Sequence, residues 1–276
     1  MIAMQQTLEN PPEGQTARLI RQAGEQFARL RGELERRRAL AFQPRPSDAR
    51  GPAIGRFLGE LRTPYELWQA GRAAPLRAAP QPIAEVSHPV MLLPGFGTHP
   101  ARMKGLGKRL SAAGHRVSDW GLGFNFGADE ARFERLCERV CTMARKEGQP
   151  LVLVGWSLGG LYARELAHLH SEAVAMVITL GSPFSGDRRA NNAWRAYQAI
   201  AGHSVDNPPV GEHCFGPKPP VPTVALWSSR DGIVSPRSSR GLPGERDLAI
   251  GLRCTHLGFA SHPAVANAVS RIIATL

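Results

Sequence analysis

Gly155-Trp156-Ser157-Leu158-Gly159 sets a serine at the break between two structural periods. Before it, Leu151 to Val154 is a continuous apolar run suited to a buried strand; after it, Leu158, Leu161, Tyr162, Leu166 and Leu169 recur at helical spacing. A G-x-S-x-G between strand and helix is the sequence pattern of a nucleophile elbow. The turn it implies is so tight that a side chain at either flanking glycine would collide with neighbouring backbone. In return, the turn holds the serine hydroxyl above a sheet and aims the first helical N–H groups at the same space, where a developing oxyanion is stabilised.

A serine hydroxyl is a weak nucleophile at neutral pH, so Ser157 needs a base, and the base needs an acid to orient it. With an elbow of this kind the order along the chain is serine, acid, histidine. Downstream of Ser157 the aspartates are Asp187, Asp206, Asp231 and Asp247, and the histidines are His168, His170, His203, His213, His256 and His262. Asp231 ends a strand-like run, Val224 to Ser228, that turns through Ser229 and Arg230, so its carboxylate belongs at the strand's carboxyl end. Asp187 and Asp206 fall in a long connection, and Asp247 precedes a strand instead of following one. His256 comes directly after the last expected strand, whereas His262 opens the final helix before Pro263 and is the second candidate. His168 and His170 belong to the end of the helix after Ser157, where a histidine caps carbonyls or meets solvent. Oxyanion donors are expected from the N–H of Leu158 and, in Leu93-Pro94-Gly95-Phe96-Gly97, from that of Phe96.

These groups need a scaffold that gathers residues far apart in the chain. From residue 89 onward, expected strands at Pro89 to Pro94, His115 to Trp120, Leu151 to Val154, Val174 to Leu180, Thr223 to Ser228 and Leu248 to Leu252 alternate with helices. The helices are expected at Ala101 to Ala113, at Ala131 to Lys146, directly after Ser157 and at Pro263 to Ala274. Such alternation implies an α/β domain over residues 83–276, with right-handed crossovers, a mainly parallel sheet flanked by helices, and active groups at the carboxyl ends of the strands.

Two segments break the alternation. Residues 184–222, between two late strands, are long enough to form a small cap over the site, and within them Trp194 and Tyr197 are expected, with Trp156, to contact substrate. Residues 1–82 read as a helical extension: a helix from Thr16 to Leu40, then a second helical stretch from about Pro52 that Thr63-Pro64, a cap-like residue followed by proline, restarts or kinks. In the first helix Ile20, Ala23, Phe27, Leu30 and Leu34 form a stripe spaced three, four, three, four. That stripe is expected to be buried on the α/β domain, with a homodimer contact through these helices as the alternative.

Composition narrows the function classes. The chain has 276 residues, 42% hydrophobic and 21% charged, the balance of an ordinary globular protein. Its first residues show neither a basic nor an apolar segment of a secretory signal, and no apolar run approaches a membrane span, so a cytoplasmic location is expected. The net charge of +11 admits an anionic partner, but the basic residues are nearly all arginine, dispersed, and without a nucleic-acid-binding motif, so no nucleic acid is expected. The cysteines Cys137, Cys141, Cys214 and Cys254 include no C-x-x-C pair and are read as reduced thiols, with pairing of Cys214 and Cys254 left open.

The set Leu93-Pro-Gly-Phe-Gly97, Gly155-Trp-Ser-Leu-Gly-Gly160, Ser229-Arg-Asp-Gly-Ile-Val234 and Thr255-His-Leu-Gly258 resembles the α/β-hydrolase superfamily, specifically its bacterial esterase/lipase-like serine hydrolases. Asp119-Trp-Gly-Leu-Gly-Phe-Asn-Phe-Gly127 and Ile178-Thr-Leu-Gly-Ser-Pro-Phe184 are similar to that subgroup as well. The resemblance covers residues 89–276; within residues 1–82 only the Ala74 to Arg77 neighbourhood shares it, and no function is carried from there. Where many relatives have histidine this chain has Pro94. The resemblance implies ester hydrolysis through an acyl-enzyme: Ser157 attacks, His256 takes and returns the proton, Asp231 fixes the imidazole tautomer, and the N–H groups of Phe96 and Leu158 hold the oxyanion, with no metal or organic cofactor. The fold also hosts acyltransferases and non-enzymatic members. Three readings therefore stand: an ester hydrolase with an apolar acyl pocket; an amidase, a depolymerase of acidic polymers or an acyltransferase using the same triad; and a scaffold assembling through the amino-terminal helices.

Overall fold

The computed structural model describes residues 15–77, 84–127, 129–211 and 213–276. Its centre is a sheet of six parallel strands: β1 (Pro89–Leu93), β2 (Arg116–Asp119), β3 (Leu151–Trp156), β4 (Val174–Leu180), β5 (Thr223–Ser228) and β6 (Leu248–Leu252), in the order β2-β1-β3-β4-β5-β6. The last three strands coincide with those expected. Around the sheet and before it run nine described helices: α1 (Gln15–Ala41), α2 (Ile54–Gly59), α3 (Thr63–Arg77), α4 (Lys104–Ala112), α5 (Glu130–Glu147), α6 (Leu158–Leu169), α7 (Trp194–Ala201), α8 (Pro236–Arg240) and α9 (Pro263–Ile273).

Strand alternation divides the core in two. Val152, Val154 and Trp156 face the layer of α4 and α9, with Leu106, Leu110, Val265 and Val269, whereas Leu151 and Leu153 face α5 and α6, with Leu136, Val140, Tyr162 and Leu166. Both faces being covered, β1, β3 and β4 are apolar almost throughout, as parallel strands require. The chain leaves β1 for the β2 edge and returns through β3 to build the other side. The crevice between β1 and β3 is thus the switch point, where loops at the carboxyl ends diverge and a ligand fits.

The expected cap contains one helix, α7, and is otherwise irregular. Arg164 of α6 holds it down: fully buried, it donates to the carbonyls of Cys214, Gly216 and Pro217 at 2.8–3.1 Å and to that of Glu245 at 2.8 Å. Burial pushes the Arg164 guanidinium down to about 10, still charged at neutral pH. All four cysteines are free thiols, so Cys214 and Cys254 do not pair.

Two expectations for the extension need correction. The stripe on α1 is not packed on the domain: Ile20, Phe27, Leu30 and Leu34 are 62–75% exposed, and Ala23 is exposed too. Among the described residues the end of α1 meets the body at α7, where Arg36 and Arg37 donate to the carbonyls of Gly202, Ala199 and Ile200, and Gln198 donates to that of Leu40. Two cations on the carbonyl end of a helix satisfy orphan acceptors, so the arm is held by a polar grip. The helix does restart at Thr63, but Thr63 is not its cap. A 3-10 turn, Glu60–Arg62, joins α2 to α3 with Thr63 already helical, and the Thr63 hydroxyl lies 2.6 Å from the Glu60 carbonyl and 2.9 Å from Thr255 Oγ1. No helix among the described residues is long and apolar enough to cross a membrane.

Candidate active site

Ser157 sits between β3 and α6 with φ 53° and ψ −118°, and among the described residues it alone, apart from glycines, has a positive φ. Such strain persists only where the surroundings impose it. Here they do: a Cβ on Gly155 would come within 2.4 Å of the Gly160 backbone, and one on Gly159 within 2.3 Å of the Leu93 carbonyl. The third glycine of the run, Gly160, is equally constrained, its absent Cβ falling 2.0 Å from Ser182 Oγ.

Asp231 follows β5, fully buried, with Oδ1 accepting from the N–H groups of Ile233 and Val234 at 2.8 and 2.7 Å. Its Oδ2 meets His256 Nδ1 at 2.7 Å. Oδ2 also lies 3.0 Å from where a Cβ on Gly181 would stand, so the carboxylate rests on the end of β4, the strand next to the serine's own. Ser228 Oγ donates to the Cys254 carbonyl at 2.6 Å, joining the loop that carries Asp231 to the loop that carries His256. A carboxylate on Nδ1 fixes the tautomer that leaves Nε2 free to take a proton. Burial opposes the imidazolium, but the charge and hydrogen bond of Asp231, with a further contribution from Glu60, outweigh it and hold His256 above its ordinary pKa.

The other sequence candidates have other partners. His262 caps α9, its Nδ1 accepting from the Ala264 N–H at 3.1 Å. Asp187 accepts from the Arg189 N–H, Asp206 pairs with Arg189, and Asp247 accepts from the Thr223 N–H and pairs with Lys218. A second carboxylate–imidazole pair, Glu165 with His213 at 3.0 Å, ties the cap to α6.

Ser157 opens into a cleft of about 740 Å³, counted out to its solvent-open mouth, walled by Phe96, Leu158, Leu161, Trp194, Tyr197 and Phe215 among others. Phe96 meets Tyr197 edge-on at 5.2 Å. No described group accepts from the N–H of Phe96 or of Leu158. The loop bearing Phe96 is shaped by Asn125, fully buried, whose side-chain amide donates to the Pro94 carbonyl at 2.7 Å and whose backbone exchanges hydrogen bonds with Gly97 and Thr98. Trp194 and Tyr197 line the cleft; Trp156 does not. Strand alternation turns Trp156 to the α4/α9 face, where it is 1% exposed and donates to the His256 carbonyl at 3.1 Å.

Sequence reasoning passed over Asn125, Arg164 and Glu60. Asn125 lies in the Asp119 to Gly127 stretch, whose only sign in the sequence was its similarity to the esterase/lipase-like subgroup. Cys141, His170 and Glu172 bring one possible metal-ligand atom each within 4.8 Å of one another, and they share no residue with the walls of the cleft.

A family model described as alpha/beta hydrolase fold matches residues 89–202. No curated protein sequence matches the chain. Among solved structures it is similar to the pyrethroid hydrolase PytH at 17% identity over 68% of this chain and 98% of that one, with TM-score 0.49. It is also similar to a soluble variant of monoglyceride lipase from Saccharomyces cerevisiae at 17% identity, 71% and 88% coverage and TM-score 0.48. A third is the thioesterase domain from the curacin biosynthetic pathway, at 15% identity, 70% and 93% coverage and TM-score 0.45. Those likenesses are too distant to speak for activity. The family match spans β1 to α7, and the six-stranded parallel sheet and the serine turn between β3 and α6 are in keeping with it: the chain has the α/β-hydrolase fold.

Proposed function

We propose that the protein is a serine hydrolase that cleaves carboxylic esters with an apolar acyl group. The observations that support this reading are the 2.7 Å contact between the buried Asp231 and His256, on the loops that follow β5 and β6, and the strained backbone of Ser157 at the end of β3. His256 Nε2 takes the proton of Ser157 as its oxygen attacks the ester carbonyl; the negative charge that develops is held by the free N–H groups of Phe96 and Leu158; His256 then gives the proton to the departing alkoxide. Water, deprotonated by the same imidazole, releases the acid from the acyl-enzyme. The mechanism needs neither metal nor organic cofactor. The cleft walls, mostly aromatic and aliphatic, favour an acyl chain over a charged polymer.

A panel of p-nitrophenyl esters of increasing chain length tests the reading. Ser157→Ala should lose about 10³-fold or more in kcat while keeping its melting temperature. Wild-type protein should be labelled once by a fluorophosphonate, at Ser157. Turnover by the Ser157→Ala protein within tenfold of wild type would end the serine mechanism. Tyr197→Ala should reorder the chain-length preference, and an unaltered order would take that wall out of the acyl site.

A further inference from the structure

Three backbone N–H groups beside Asp231 and His256 converge on one carboxylate, and it comes from outside the matched region. Glu60, 5% exposed in the turn between α2 and α3, accepts through Oε1 from Gly232 and from His256, each at 2.8 Å, and through Oε2 from Leu257 at 2.9 Å. Gly232 follows Asp231 directly, so one side chain grips the loop of the acid and the loop of the base together. Buried amide N–H groups left without acceptors would cost about 1–3 kcal/mol each, and bonds to an ionised acceptor are the stronger kind.

The approach is built from both sides. A Cβ on Gly232 would fall 2.2 Å from the Arg56 carbonyl, so α2 lies against the acid loop only because that residue is glycine. One turn further on, Glu66 accepts from the Thr255 N–H at 3.0 Å, and Thr63 Oγ1 meets Thr255 Oγ1 at 2.9 Å. All three side chains act on the stretch from Thr255 to Leu257.

We propose that Glu60 is a positioning residue of the hydrolytic site, holding the Asp231 and His256 loops in the one register that keeps Asp231 Oδ2 on His256 Nδ1. This rests on the reading of Ser157, His256 and Asp231 given above. The extension is then part of the site: without it the two loops lose their common anchor. The charged groups facing His256 are Asp231 from the loop after β5 and Glu60 from the turn before α3, and both favour the imidazolium that forms when Ser157 gives up its proton.

The test is Glu60→Gln, equal in size and still able to accept from Gly232 and His256, but uncharged and unable to accept from Leu257. Expected are a fall of about tenfold in kcat on a p-nitrophenyl ester with KM within about threefold, and an acid limb of kcat/KM displaced to lower pH. The sign follows from the charge: with one carboxylate fewer, His256 releases its proton at lower pH, so the neutral base appears earlier. Titration of the His256 ring by NMR, which needs no turnover, should move the same way. A stabilising role alone would lower the melting temperature and leave kcat per fluorophosphonate-labelled site, the acid limb and the ring titration unmoved; that result overturns the proposal. Wild-type protein without Ser157-dependent turnover would instead overturn the triad reading, and the positioning role with it. Should Glu60→Gln not fold, amide exchange in the wild type decides: protection of Gly232, His256 and Leu257 like that of β3 supports the clamp, and fast exchange overturns it.

Discussion

The two parts of the amino-terminal segment treat the same α/β body in opposite ways. Residues 15–41 meet it through the polar end of α1 and leave the apolar stripe exposed, whereas residues 54–66 leave Ile54, Leu58 and Leu61 exposed and send two acidic side chains inward. The usual partition of apolar in and charged out is reversed in the second part because its task is to satisfy loop N–H groups, which only acceptors can do. Burial of apolar area therefore says little about which part the site depends on.

The contrast can be broken most forcefully at Gly232. Gly232→Ala puts a methyl where the Arg56 carbonyl stands, so the second part must withdraw; a loss of about 1–3 kcal/mol in stability and of about 100-fold in kcat is expected from a melt and an ester assay. Wild-type turnover would mean that this part is no more committed to the site than α1. A smaller effect is expected from Glu66→Gln, which weakens the acceptor of one amide, at Thr255: about 0.5–1.5 kcal/mol in stability, a few-fold in kcat, and no displacement of the acid limb. A displaced limb would spread the charge effect beyond Glu60. Smallest of all should be removal of residues 1–34, which takes away the stripe and spares Arg36 and Arg37; kcat should stay within about twofold. Light scattering on both proteins tells whether the stripe joins two copies, and a truncated protein as impaired as Glu60→Gln would erase the distinction between the two parts.

What could be seen in the sequence follows from locality. Val174 to Leu180 and Thr223 to Ser228 are apolar runs bounded by turn residues, and the elbow announces itself through glycines a few positions apart, so each was legible from neighbours in the chain. Asp231 and His256 could be singled out because strand ends in this fold are where chemistry gathers, and the structure brings the two side chains to 2.7 Å. Trp156 was misjudged because adjacency to the serine says nothing about which face of the sheet a side chain takes. Glu60 was invisible for a different reason: its partners lie 172 and 196 residues away, and a glutamate in a short helical turn carries no local sign that it will be buried. The stripe on α1 was legible as a pattern, but a pattern does not name the surface that covers it.

That span of 196 residues between Glu60 and His256 has a bearing on how the protein is made. At a synthesis rate of about 5–20 residues per second, the carboxylate leaves the ribosome roughly 10 to 40 s before the loop it must grip exists. During that interval β1 to β5 can assemble in chain order, with α6 and its strained serine already in place, while of the three N–H groups that Glu60 accepts from only that of Gly232 has been made, and that late. Joining the ends of so long a loop is a late, entropically costly event, and it completes the site only when β6 and the loop after it have been added. On the proposed mechanism, hydrolytic competence thus waits for the last strand and the loop after it, and premature termination anywhere before His256 would leave Ser157 without its proposed base.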